Sequence, residues 1–153
     1  MADGHISWAA FAANAPAIAE EGRRLLAPNG TGHAFLVTVR GTEMPPRIHP
    51  VTVGFVGDGL YVFLLRSPKR TDLEQDGRYA IHALLDEAAP GEFSLRGRAR
   101  RVEDAGVRAS VVRAWPFEAD ESYDLYEFSI ETALLGERDT ADDWPPRYTS
   151  WAA

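Results

Sequence analysis

The chain contains no cysteine. Disulfides, thiolate zinc centres and cysteine nucleophiles are therefore excluded. No apolar run approaches the roughly 20 residues that a membrane-spanning helix needs. The N-terminus lacks a secretory pattern, because Asp3 and His5 stand where a basic region belongs and no unbroken apolar stretch follows. The expectation is a soluble cytoplasmic protein. Positive charge is in deficit: 16 Lys and Arg face 23 Asp and Glu, a net charge of −7. That balance argues against nucleic acid and membrane surfaces as partners. There is no Gly-x-Ser-x-Gly elbow and no Gly-x-Gly-x-x-Gly loop, so neither a hydrolase nucleophile nor a Rossmann site is supported. His5, His33, His49 and His82 show no paired ligand spacing, so no metal is expected.

What is present suits one globular domain. The chain has 153 residues, 45% hydrophobic and 25% charged, enough for a core without staples. Residues 7–26 read as two helical pieces: Ser7 caps the first, and Asn14-Ala15-Pro16 breaks it and starts the second. From residue 33 the texture is β. Strands are expected over 33–40, 47–56, 60–65, 78–85, 92–103 and 123–135, with Gly57-Asp58-Gly59 as a hairpin turn. The apolar strand at 60–65 implies cover on both faces. A short helix opens at Ser67-Pro68 and closes near Asp76-Gly77. A second helix is capped by Asp104, with Val107 and Val111 expected inside. Residues 136–153 read as a tail ending in Trp144-Pro145-Pro146-Arg147-Tyr148-Thr149-Ser150-Trp151. About six strands joined mostly by hairpins give a small antiparallel barrel with flanking helices.

The informative spot is Ser67-Pro68-Lys69-Arg70. Ser-Pro makes a good helix start, yet a helix N-terminus favours anions and here meets two cations. An anionic ligand removes that conflict, since free N–H groups, a hydroxyl and two cations form a phosphate site. The competing reading pairs Lys69 with Asp72 and Arg70 with Glu74 along the helix surface. A hairpin turned at residues 57–59 brings Arg47 to the same end as Leu65–Lys69, so Arg47 and Lys69 can converge on one anion. Alone, Arg47 reads more readily as a solvated cation at the start of a strand. Arg96, Arg98 and Arg100 alternate on one strand face, either as a solvated stripe paired with acids or as an attractor for an anionic substrate.

The order of Arg47-Ile48-His49-Pro50-Val51-Thr52, hairpin, apolar strand, Ser67-x-Lys69, Leu73, Asp76 and Leu95-Arg96-Gly97-Arg98-Ala99 resembles the pyridoxamine 5′-phosphate oxidase-like, flavin-binding split-barrel superfamily over residues 8–135. The resemblance implies a mainly β fold, a six-stranded antiparallel split barrel with flanking α-helices, filling 1–153 as a single domain (helices 7–26, barrel 33–135, tail 136–153). It implies a homodimer with FMN at the subunit interface, and hydride transfer through the flavin N5 to or from a small-molecule substrate. Arg47, Lys69 and Ser67 are implied to hold the phosphate, with Arg66 and Arg70 as further candidates. His49, Pro50, Val51 and Thr52 are implied to lie along the isoalloxazine ring. No catalytic residue is implied. The tail lacks the Arg-x-His-Asp-Arg-like segment of pyridoxamine-phosphate oxidases proper, and Glu92 stands near the position of their flavin-contacting glutamine, which argues against vitamin B6 oxidation. Shorter relatives use FMN, the deazaflavin F420 or haem, so an F420-dependent reductase and a non-enzymatic flavin or haem carrier stand as alternatives. The tail is read either as cover for a partner's flavin ring or as an anchor of the C-terminus on the barrel.

Overall fold

The computed structural model describes residues 6–88 and 90–153; His5 lies outside them. The elements are α1 (Trp8–Asn14), α2 (Pro16–Leu26), β1 (Thr31–Thr38), β2 (Arg47–Val56), β3 (Gly59–Leu64), α3 (Pro68–Gln75), β4 (Arg78–Ala83), β5 (Gly91–Arg101), α4 (Ala105–Ala114), β6 (Asp124–Phe128), β7 (Thr132–Glu137) and β8 (Arg147–Ala152). The fold is mainly β. Six antiparallel strands in the order β4-β1-β2-β3-β6-β5 close on themselves through β4–β5 pairing. No described helix is long and apolar enough to cross a membrane.

Local chemistry accounts for the boundaries. Ser7 accepts the Ala10 amide hydrogen and caps α1, and Pro16 starts α2, as the sequence pattern predicts. The β2–β3 hairpin turns at Gly57-Asp58, where Gly57 takes φ +55, a backbone state that costs glycine nothing. Every residue of β3 is buried. Leu60, Val62 and Leu64 point into the barrel, while Tyr61 and Phe63 pack outward against Val111 of α4 and Trp115. The helices α1 and α2 plug the end near the β2–β3 turn, with Trp8 and Phe11 in the core beside Phe55 and Phe93. At the other end α3 inserts Leu73 into the same core.

The structure departs from the sequence reading in three places. The last strand is two, β6 and β7, separated by Ser129–Glu131. The break fits over Gly97 of β5, where a Cβ would lie 2.1 Å from the Ser129 carbonyl oxygen. The amides of Ser129 and Glu131 donate to the carbonyls of Arg98 and Arg96, so the break stays hydrogen-bonded. The segment read as a tail contributes β8, which pairs along β7 and extends β5 into a three-stranded wing. Trp151 anchors it, its ring 4.9 Å from that of Phe11, whereas Trp144 is 75% exposed. Finally, Val111 is inside as expected but Val107 is on the surface. The helix presents one narrow stripe to the sheet, and Val107 is off it.

Candidate functional site

The barrel is split between β2 and β3. β2 is ten residues long, yet it pairs with β3 only from Val53 to Val56. From Arg47 to Thr52 it pairs with β1 on one edge, and the edge facing β3 has no ladder partner among the described residues. Unpaired backbone N–H and C=O groups are obligatory hydrogen-bonding groups awaiting a partner. The opening runs towards the C-terminal end of β3 and the start of α3.

An open cleft of about 520 Å³ lies there, lined by Arg40, Arg47, Arg66, Ser67, Pro68 and Thr71. Hairpin geometry therefore does bring Arg47 to Ser67. Ser67 caps α3: its hydroxyl accepts from the Arg70 amide at 3.4 Å and donates to the Leu65 carbonyl at 2.9 Å. Thr71 donates to the Ser67 carbonyl at 3.2 Å. The loop and the first turn of α3 are thus fixed by their own hydroxyls. Lys69, the chain's only lysine, is half-buried on the first turn but does not line the cleft. Arg70 points elsewhere, 3.6 Å from both Glu74 and Asp124. His49 shares the face of Arg47 and Val51, opposite Leu36 in register. Pro50 and Thr52 lie on the outer face with Ile48.

Two residues that sequence reasoning missed organise the cleft. Asp72 of α3 is 1% exposed. It accepts hydrogen bonds from Thr38 Oγ1 (2.8 Å), Arg40 Nε (2.8 Å) and Arg47 Nε (3.0 Å). The pairing of Lys69 with Asp72 considered from sequence is replaced by this pair of arginines. Arg40, at the end of β1, is the second omission, and nothing local in the sequence marks it. Among Arg40, Arg47, Arg66 and Asp72 positive charge exceeds negative, so the cleft attracts anions in an acidic protein.

A second carboxylate ties the β1–β2 loop to α3. Asp76 accepts from Arg78 Nε (2.6 Å), Arg78 Nη2 (2.8 Å) and the Gly41 amide (2.8 Å). The Arg78 hydrogen bonds hold the Asp76 carboxyl far below the usual carboxylate range. A carboxyl depressed in the folded state stabilises the fold fully above its unfolded value of about 3.9, and that contribution fades as pH falls towards the folded value. Urea midpoints measured from pH 6 down to pH 2 are therefore expected to fall more steeply below about pH 4 in the parent than in Asp76→Asn.

No protein-family model and no curated protein matches the sequence. Solved structures do match. A haem-binding protein from Mycobacterium smegmatis is similar at 21% identity and a TM-score of 0.66, over 90% of this chain; the chain spans 58% of that one. A Clostridium acetobutylicum protein related to general stress protein 26, of the pyridoxinephosphate oxidase family, matches at 13% identity and a TM-score of 0.61, over 87% of this chain and 92% of its own. The haem storage protein HutZ of Vibrio cholerae matches at 16% identity and a TM-score of 0.57, over 76% of this chain and 90% of its own. The chain has the pyridoxamine 5′-phosphate oxidase-like split-barrel fold. In this split barrel the seam between β2 and β3 and the cation cleft coincide, so one opening offers both a polar backbone edge and a set of guanidinium groups.

Proposed function

We propose that the protein binds FMN at this opening and acts as a flavin-dependent oxidoreductase on a small-molecule substrate. The observation that carries the reading is the convergence of Arg40, Arg47 and Arg66 beside the free edge of β2. The donor set fits the cofactor: guanidinium groups suit a phosphate monoester, and the β3-facing edge of β2, which has no ladder partner before Val53 among the described residues, suits the polar edge of a flat ring. A cleft of about 520 Å³ is of the size that small-molecule sites have. When bound, FMN supplies hydride transfer at its N5, while the protein contributes orientation and electrostatics. Arg47 and Arg66 would neutralise the phosphate, Lys69 would add charge from the first turn of α3, and Thr52 and His49 would border the ring. No side chain is assigned an acid–base role.

The second part of the proposal is a homodimer. α4 meets the outer face of β2 near the β3 hairpin, where Trp115 lies over Gly54; further along that face the β2–β1 surface is open. It carries Ile48, 63% exposed, and Phe35, 41% exposed, with Val37 opposite Ile48 and Pro50 opposite Phe35 in register. A contiguous apolar patch of this kind marks an interaction surface, and it borders the cleft. A second copy seated there would close the site from above.

The test is the absorption and mass spectrum of the purified protein, followed by titration with FMN, F420 and haem and by light scattering for mass. A flavin spectrum, or tight FMN uptake by a dimer, is the expected result. A colourless protein that takes up neither FMN nor F420 overturns the flavin reading. Haem carriage is the second reading, favoured by the similarity to two haem proteins and by His49 on the face of Arg47. It requires a Soret band that His49→Ala removes.

A further inference from the structure

Asp72 is the only charged side chain fully buried among the described residues. A buried carboxylate is tolerated only when its charge and lone pairs are matched. Here it is matched by two guanidinium groups that reach in from the cleft, with side chains 29% (Arg40) and 31% (Arg47) exposed. The mode of attachment matters. Arg47 uses Nε alone, and Arg40 uses Nε and Nη2, both near 2.8 Å. Both Nη groups of Arg47 and Nη1 of Arg40 therefore carry no protein hydrogen bond among the described residues. Nη2 of Arg40 also reaches the Pro68 carbonyl at 3.5 Å. Free arginine side chains hold much rotamer entropy, and a guanidinium already fixed loses less of it when it grips a ligand.

We propose that Asp72 is a positioning residue of the anion cleft and that Arg40, which it holds, is a further guanidinium ligand to the anion beside Arg47 and Arg66. The inference rests on the reading that this cleft takes an anionic group. It makes a prediction opposite to simple charge counting. Removing a carboxylate makes the cleft more positive, so Coulomb attraction alone tightens anion binding. The guanidinium groups are partly exposed and screened at ordinary salt, so the loss of their anchor outweighs the gain in charge.

The experiment titrates FMN and, separately, inorganic phosphate into the parent, Asp72→Asn and Arg40→Lys, at several salt concentrations, with urea unfolding to check the fold. Asp72→Asn is expected to bind both anions about tenfold more weakly. Arg40→Lys keeps its charge and loses the planar fork; it is expected to bind about tenfold more weakly with an unchanged dependence on salt. Equal or tighter binding by Asp72→Asn overturns the proposal, and so does parental affinity in Arg40→Lys. Should Asp72→Asn not fold, Arg40→Lys decides alone. A parent that binds phosphate but not FMN, with variants weakened for phosphate, sinks the flavin reading and leaves this inference standing. A parent that binds neither anion overturns both.

Discussion

Arg47→Ala is expected to lower FMN affinity by about ten- to a hundredfold. One charge-assisted hydrogen bond is worth about 1.5–3 kcal/mol, and each 1.4 kcal/mol is about tenfold in affinity. Arg47 has two Nη groups free for the ligand, and its loss leaves Asp72 with Thr38 and Arg40. The fold therefore survives, and the effect belongs to the cleft. Flavin fluorescence quenching measures it directly. Arg70→Ala is the internal control: its guanidinium is turned to Glu74 and Asp124, so affinity is expected to stay at the parental value. Equal loss in both variants would remove the distinction between a cleft cation and a surface cation on which the site assignment depends.

The largest effect on stability is expected from Gly97→Ala, on the order of 3 kcal/mol. The added Cβ would meet the Ser129 carbonyl oxygen at 2.1 Å and its carbon at 2.9 Å. These are backbone atoms of the break between β6 and β7, tied by the Ser129 and Glu131 amides to β5 itself, so they cannot swing aside as a side chain does. Relief requires the β6–β7 chain to lift from β5, which breaks those hydrogen bonds. Equilibrium urea unfolding is the check, and a midpoint shift near zero would mean that the break over Gly97 is loose. Gly41→Ala is a contrast of different kind: nothing stands within 4 Å of its Cβ, and its cost comes from φ +64 alone.

The parts of the fold legible in the sequence are those that local chemistry decides. Caps at Ser7, Ser67 and Asp104, the break at Pro16 and the Gly57-Asp58 turn all depend on residues within a few positions of one another. The unbroken apolar run at 60–65 announced its double cover. Arg47 was placed beside Ser67 by hairpin topology, a long-range inference that needed only one turn. The remainder depends on contacts between distant segments. Asp72 takes its three hydrogen bonds from residues 34, 32 and 25 positions away, on a helix whose surface spacing suggested a bond to Lys69. Arg40 closes a strand whose pattern marks nothing polar as special. The division of β6 from β7 is imposed by Gly97 in another strand, and β8 exists because β7 offers an open edge that the tail can fill. Which cations of 66–70 reach the cleft depends on how α3 is rotated, and that is set by Leu73 and Asp72 in the core.

A strand of ten residues held to its neighbour along only four of them leaves the cylinder open at that seam. Whatever molecule bridges that seam acts as a hoop as well as a passenger, because it joins strands that the chain leaves apart. Occupancy and resistance to unfolding are then coupled by mass action: the tighter the guest, the higher the melting point of the host.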